Sequence, residues 1–451
     1  MRQRAITQGF WLLCVVVTPI GLILAGRMDY AFALTFALLG VEFAFLAVPA
    51  DRIFAYMTIA VIGMLALVSV GQSQLALVLV ALGVVVLRRG NTTRLQLPPG
   101  LLMFGGYFAM TLVLMARDDG GVAWRQWLLH AVIVAGLYPL ASFCSLSERR
   151  IVLRALISLG VAEAVYGVFE VATGRGPLWG SPIAYENQIF SGLARAQGTL
   201  GHSLALAFLL VVALGLTLAP GLVSSLWHKF ALSGVFLVGM LAAGSRSALI
   251  VSVVMVLFVA GRGRGRLIVG GYVAILGVVA LWGSGFFSSD LVTNFVTGSS
   301  VSHRGDALPA AHGLLTTQNL AHTLFGNGYW SVPRLFAEGR LQTDGFNAVD
   351  NGFVYLLAEG GVVGLLLFLG PVLWAIKVGA PELRLALVGA LAMFLSFDVS
   401  AWPSALALVV VLTACSLAFR AGRAEEVSEQ PQEHPLPLAL PADRWRGRPV
   451  S

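Results

Sequence analysis

Three arginines stand at the border of a long apolar run or in the large loop between two such runs, where a guanidinium group could bind an anion. They are Arg195, Arg246 and Arg304. Arginine presents a rigid fork of donors that matches phosphate oxygens, and it stays charged at any relevant pH. For Arg246 the alternative is a side chain that extends to a membrane interface, and the other two could be solvated loop residues. Taken together, the three arginines predict a site for a diphosphate at a membrane surface.

A carboxylate and an amide follow in sequence at Asp350 and Asn351, just before a long apolar run. Aspartate and asparagine are good helix N-caps, so the pair predicts a helix start. A carboxylate at this position could also orient an acceptor hydroxyl or take its proton. The two interpretations are compatible.

Two glutamates, Glu163 and Glu170, lie inside another apolar run. They are seven residues apart, so a helix puts both on one face. Charged residues inside apolar helices are unfavourable and tend to face the bundle interior or a wet cavity. They could serve a proton-coupled transporter, or they could be structural partners of a buried arginine.

The elements that position these residues are membrane helices. The chain has 451 residues, of which 58% are hydrophobic and 11% charged, whereas a soluble domain carries roughly a quarter charged residues. This composition predicts an all-α polytopic membrane protein with about 14 transmembrane helices and excludes a soluble enzyme. Its predicted helices span 10–26, 31–49, 53–71, 73–87, 99–116, 127–144, 151–173, 200–220, 229–243, 246–261, 267–283, 352–376, 384–400 and 403–420.

The distribution of basic residues gives the helices a direction. When the helices alternate from a cytoplasmic N-terminus, 20 of the 29 lysines and arginines fall in cytoplasmic segments and 9 outside. This asymmetry follows the positive-inside rule and predicts that both termini are cytoplasmic. The net charge of +7 is then a consequence of topology, and we expect no nucleic acid partner.

The same topology divides the chain into three parts. We expect a transmembrane domain over 1–420 and, within it, a large extracytoplasmic loop over 284–351, before helix 12. Such a long loop in a compact protein is more often functional than idle. The segment 421–451 is rich in glutamate and proline and predicts a disordered cytoplasmic tail.

Several short motifs, in this order and with this loop placement, resemble the bacterial O-antigen ligase and polymerase superfamily. The motifs are Arg195 to His202, Ser245 to Leu249, His303-Arg304, Leu324 to Tyr329, and Asp350 to Gly364. They cover residues 195–364, and the N-terminal helices match only in hydropathy. Ligases of this superfamily usually carry histidine where this chain has Asp350, so the resemblance favours a polymerase, with a ligase next.

The resemblance implies a multi-pass protein of the bacterial inner membrane that acts at the periplasmic face. Its substrate would be an oligosaccharide on a polyprenyl diphosphate, transferred to an acceptor glycan or glycolipid without a metal or cofactor. Membrane lipid and a chain-length regulator would be further partners. The diphosphate-binding residues would be Arg246, Arg304 and Arg195. The catalytic set would be Asp350, Asn351 and Arg304.

One alternative from another class stays open. A polytopic transporter or lipid-linked glycan flippase could use Glu163 and Glu170 inside the membrane. A nucleotide-driven pump is disfavoured, because the sequence has no Gly-rich phosphate loop with its lysine.

Overall fold

The structure is a computed structural model that describes residues 52–67, 98–115, 121–175, 187, 189–190, 192–259, 309–342 and 349–429. Over these residues the chain forms helices and no β-strand. The all-helical class predicted from composition is therefore confirmed for the described part of the chain. The predicted helices at 10–26, 31–49, 73–87 and 267–283 lie outside it, as does the part of the tail beyond residue 429.

The helices have the following bounds, numbered in chain order. They are α1 Ile53–Leu67, α2 Pro99–Met115, α3 Gly121–Phe143, α4 Leu146–Thr173, α5 Ser203–Leu218, α6 Leu226–Ala242, α7 Arg246–Val259, α8 Leu320–Phe325, α9 Val332–Ala337, α10 Gly352–Val378, α11 Pro381–Met393 and α12 Pro403–Glu429. Short 3₁₀ turns occur at Gly198–Leu200 and Val399–Ala401.

Three described helices are long and apolar enough to cross a membrane, judged by length and composition. They are Ala123–Phe143 within α3, Leu146–Thr173 and Gly352–Val378. Large apolar side chains also point outward, since Val113, Val165 and Leu366 are each more than half exposed. Contiguous exposed apolar surface is rare on soluble monomers but suits contact with lipid.

Helix α5 is the centre of the described bundle. All of its residues are buried, from Ser203 to Leu218. A helix that is apolar all round belongs in a core, because it has no face suited to water. Small residues let the surrounding helices approach closely. A methyl group at Gly160 of α4, for example, would lie 2.6 Å from the Cβ of Ala213 in α5.

The connections between the helices gather at two ends. At the first end, the Gly352 N–H at the start of α10 donates to the Phe394 carbonyl at the end of α11 (2.7 Å). The linker before α5 meets the end of α6 there, through Ala196 N and Ala242 O at 2.9 Å. We call this end, with the starts of α5, α7, α10 and α12, the α10-start end. The α3–α4, α5–α6 and α10–α11 links lie at the opposite end.

Helix boundaries differ from the predicted ones where polar side chains stabilise a helix end. Helix α4 begins at Leu146 and not at residue 151, because Ser145 and Glu148 form a reciprocal capping box. Helix α11 ends at Met393 and not at residue 400, and the next carbonyl, that of Phe394, bonds to α10. Helix α12 continues to Glu429, so residues 421–429 of the predicted tail are helical.

Candidate functional site

Arg195 and Arg246 are brought to the same place by a pair of hydrogen bonds between chain segments. Next to Arg195, the Ala196 N–H donates to Ala242, and Arg195 Nε itself donates to the Ala243 carbonyl at 3.0 Å. Arg246 follows three residues after Ala243 and opens α7, where it is buried. The structure therefore places two of the three predicted arginines at the α10-start end.

The turn between α6 and α7 requires glycine and a buried amide. Gly244 has φ +63°, a conformation that L side chains rarely adopt. A Cβ there would lie 2.9 Å from the side-chain oxygen of Asn187 and 3.2 Å from Arg195 Cγ. Asn187 Nδ2 donates to the carbonyls of Leu241 and Ala242. Sequence reasoning missed Asn187, which satisfies the carbonyls at the end of α6.

The other predicted residues fall in two groups. Arg304 lies outside the described residues. Asn351 is the N-cap of α10, and its side-chain oxygen accepts from Phe353 N (3.0 Å) and Val354 N (3.2 Å). Asp350 precedes the cap and is partly buried. The capping interpretation is thus correct for Asn351, while the Asp350 carboxylate lies outside the cap.

A second carboxylate lies beside Asp350, and sequence reasoning missed it. Asp398 belongs to the turn that links α11 to α12, in a stretch predicted to be helical. The start of α10 packs on this turn, since a Cβ at Gly352 would meet the Phe397 carbonyl at 2.9 Å. Burial, followed by the nearby charge of Asp350, raises the pKa of Asp398 to about 8. The Asp398 carboxyl group is therefore mostly protonated at neutral pH.

Aromatic rings connect the carboxylates to the arginines. Trp402 Nε1 donates to Asp398 Oδ1 at 3.2 Å, and the Trp402 ring stacks on His202 with centroids 4.5 Å apart. Burial, with a smaller effect of the Arg195 charge, lowers the pKa of His202 to about 4. His202 is therefore a neutral ring at physiological pH. We call Arg195, Arg246, His202, Trp402, Asp398 and Asp350 the end cluster.

The two glutamates of α4 are bound to the backbone next to this cluster. Glu170 Oε2 accepts from Gln197 N (3.1 Å) and Gly198 N (2.7 Å). Glu163 accepts from the Thr199 N–H at 2.9 Å and also from the Thr199 hydroxyl. Both carboxylates thus bind the non-helical segment between Arg195 and α5, which has no helical partners for its own N–H groups.

A third buried glutamate, Glu359, accepts a hydrogen bond from the backbone of the large loop. Helix α10 is broken at Gly361, which has φ +59°, so nearby carbonyls lose their helical partners. The turn after α8 fills the break, where Asn327 N donates to Ala358 O and Gly328 N to Glu359 O. The Glu359 side chain accepts from Trp330 N at 2.7 Å and from Tyr107 Oη at 2.8 Å.

The large loop packs so closely on the break in α10 that the glycines at the contact cannot be replaced by residues with a side chain. A Cβ at Gly326 would lie 2.2 Å from the Glu359 carbonyl, and one at Gly361 would lie 2.5 Å from Gly326 N. Trp330 has φ +63°, which is unusual for a residue with a side chain. The Gly-Asn-Gly motif of residues 326–328 is therefore a docking segment that fixes the loop to α10.

No protein-family model and no curated protein matches this sequence.

Proposed function

We propose that this protein is a glycosyltransferase that takes a glycan from a polyprenyl diphosphate and passes it to an acceptor sugar. The carrying observation is that guanidinium groups and carboxylates from distant parts of the chain lie together at the α10-start end. Their chemistry suits the two halves of such a transfer. A polymerase of O-antigen or exopolysaccharide is favoured and a ligase is next, because Asp350 stands where ligases carry histidine.

The arginine side of the cluster suits the leaving group. When the bond between the sugar and the diphosphate breaks, negative charge grows on the leaving oxygen. Fixed guanidinium groups stabilise that charge most when they are held in place beforehand. Arg195 is held by its bond to Ala243 and Arg246 by its position in the first turn of α7. The N-terminal amides of α7 add a favourable field for an anion.

The carboxylate side suits the acceptor. The acceptor hydroxyl oxygen attacks the anomeric carbon, the bond to the diphosphate oxygen breaks, and the hydroxyl proton passes to Asp350. Asp398 keeps its own proton below about pH 8 and therefore adds no second negative charge near Asp350. Asn351 acts as a positioning residue, because its oxygen caps α10. Arg304 keeps its proposed roles at the diphosphate and in catalysis.

The finer topology belongs to the same proposal. We infer fourteen helices in a bacterial inner membrane, both termini in the cytoplasm and the α10-start end facing the periplasm. The support is the distribution of arginine and lysine. A further support is that the α3–α4, α5–α6 and α10–α11 links lie at one end of the described bundle and the α6–α7 and α11–α12 links at the other, as this alternation expects. No metal takes part in the proposed chemistry.

The test replaces one group on each side of the cluster in living cells. Arg246→Lys keeps the positive charge but removes the forked guanidinium group. Asp350→Asn keeps the shape of the side chain but removes the carboxylate that acts as the proposed base. We expect either change to lower polymer at least about 100-fold, as when a preorganised donor or a base is removed. Single lipid-linked repeats should accumulate at the periplasmic face. Polymer and repeats are measured by gel and by mass spectrometry of extracted lipids.

Matched controls are Arg340→Lys and Glu338→Gln, which alter an exposed ion pair in the loop. Normal polymer in both test variants, with wild-type protein levels in the membrane, would reject the proposal. Repeats that accumulate on the cytoplasmic face instead would favour the flippase alternative.

A further inference from the structure

The opposite end of the bundle holds a buried positive charge that the proposed reaction does not use. Arg149 lies in the first turn of α4 and is only 8% exposed. Its Nε and Nη1 atoms are fully enclosed, and neither has a hydrogen-bond partner among the described residues. A buried charged group without a partner is strongly unfavourable, so it requires a physical explanation.

The neighbouring carboxylate does not supply that partner. Glu148 Oε2 accepts from the backbone N–H of Ser145 at 2.9 Å, and Glu148 Oε1 accepts from Ala55 N at 3.3 Å. These two amides lie at the starts of α4 and α1. Glu148 is therefore occupied by two helix N-termini, and no ion pair joins it to Arg149 in the described part of the chain.

The nearby cysteines do not act as counter-ions either. Cys144 Sγ donates to the Leu140 carbonyl at 3.4 Å, and Cys415 Sγ donates to the Ala141 carbonyl at 3.9 Å. A thiol that donates its proton to a carbonyl is neutral. The two sulfur atoms thus give Arg149 no direct counter-ion, and Glu148 acts on its charge only through space.

The helix starts around Arg149 add further positive charge to its surroundings. The N-terminus of a helix carries partial positive charge, which repels cations and attracts anions. Two such termini meet at Glu148, and Arg150 adds a further, exposed guanidinium group. Ser145 and Ser147 are exposed at the same helix start, with their hydroxyl groups 3.1 Å apart. The surroundings of Arg149 are therefore those of an anion site with polar groups at its opening.

We propose that the start of α4 binds a phosphate group, held by Arg149 with Arg150, the serine hydroxyls and the first-turn amides that Glu148 does not bind. Arginine at a helix N-terminus suits a tetrahedral phosphate, since the fork and the amides both donate to its oxygens. The phosphate belongs either to the headgroup of a membrane lipid or to a free anion. This site does not depend on the proposed glycosyl transfer, because it lies at the other end of the helices.

The test uses the full-length protein in a neutral sugar detergent, in phosphate-free buffer at constant ionic strength. Sodium phosphate and dihexanoyl phosphatidylglycerol are titrated separately, and the unfolding temperature is followed. We expect a saturable rise for the wild-type protein and at least a tenfold weaker midpoint for Arg149→Gln. Arg154→Gln is the matched control, because it removes an exposed arginine from the same helix. It should behave as wild type.

The outcomes separate the sources of the phosphate. A response to both probes means that the phosphate group itself is recognised, a response to the lipid alone means a headgroup, and a response to phosphate alone means a free anion. Arg246→Gln should keep the rise in unfolding temperature that depends on Arg149. This result would distinguish phosphate binding at the start of α4 from binding at the end cluster. No saturable response in the wild type, or equal responses in the wild type and Arg149→Gln, would overturn the proposal.

A second measurement does not depend on the stability of the variant. Hydrogen exchange of residues 144–150 in the wild-type protein should slow at least several-fold on addition of the probe that binds. Exchange that stays unchanged there at saturating probe would also overturn the proposal.

Discussion

Two groups of acidic residues lie in this protein, and they differ in what surrounds them. The glutamates inside helices, Glu163, Glu170 and Glu359, accept hydrogen bonds from backbone N–H groups of segments that are not helical. The aspartates at the α10-start end, Asp350 and Asp398, lie beside each other in a turn region. A charged residue within an apolar helix is expected to be functional. Here such residues bind backbone groups, and the proposed chemistry falls to the helix ends.

This binding of backbone groups has a physical reason. Backbone that leaves the helical conformation within a bundle must find partners for its N–H groups. Glu163 and Glu170 supply them for residues 197–199, and Glu359 supplies one for Trp330. The first pair holds the segment that leads from Arg195 to α5. Glu163 and Glu170 thus hold the segment next to the end cluster, and they take no part in the proposed reaction.

Among the substitutions that test this difference between the glutamates and the aspartates, a change of Glu359 is expected to have the largest effect. Glu359→Ala should lower the free energy of unfolding by about 2–5 kcal/mol, because buried donors on Trp330 and Tyr107 lose their acceptor. Glu359→Gln should lower the free energy of unfolding by less, since its amide oxygen still accepts one hydrogen bond. The measurement is unfolding in detergent, combined with limited proteolysis of the 309–342 loop. If alanine left both stability and proteolysis unchanged, the structural role of Glu359 would be wrong.

A smaller effect is expected from the pH dependence at Asp398. Its pKa is raised to about 8 in the folded protein and returns to an ordinary carboxyl value on unfolding. The folded state then binds a proton that the unfolded state releases, so stability falls as pH rises from about 4 to about 8. Asp398→Asn should reduce this fall, as measured by unfolding temperature across that range.

The control for the Asp398 experiment is Glu338→Gln, which changes an exposed loop carboxylate. It should leave the pH dependence as in the wild type. An unchanged slope in Asp398→Asn would show that Asp398 is ionised in the folded protein at neutral pH, and its raised pKa would have to be abandoned.

Hydropathy predicted the helices well where burial and lipid contact require long apolar runs. The start of α10 at Asp350-Asn351 and the break between α6 and α7 at Gly244-Ser245 were both found, since caps and turns have local sequence signals. The capping box at Ser145 and Glu148 was available in the sequence and was overlooked, which moved the predicted start of α4 by five residues.

The arrangement of the site depended on contacts between distant segments. Asp398 lies in an apolar stretch that continues the helical pattern, and its exclusion from α11 follows from the bond between Phe394 and Gly352. The partners of Glu163, Glu170 and Glu359 are backbone groups far along the chain, which no residue type reveals. The meeting of Arg195 with the α6–α7 turn likewise depends on a backbone pairing across 46 residues, from Ala196 to Ala242.

The most direct test of the account measures binding of a short polyprenyl diphosphate, farnesyl diphosphate, to the purified protein. Arg246→Gln should weaken binding at least tenfold, about 1.4 kcal/mol, while Glu163→Gln should bind as the wild type does. Both variants must first show a wild-type unfolding profile. The opposite pattern, with unchanged binding in Arg246→Gln and lost binding in Glu163→Gln, would place the ligand among the helix glutamates and contradict the account.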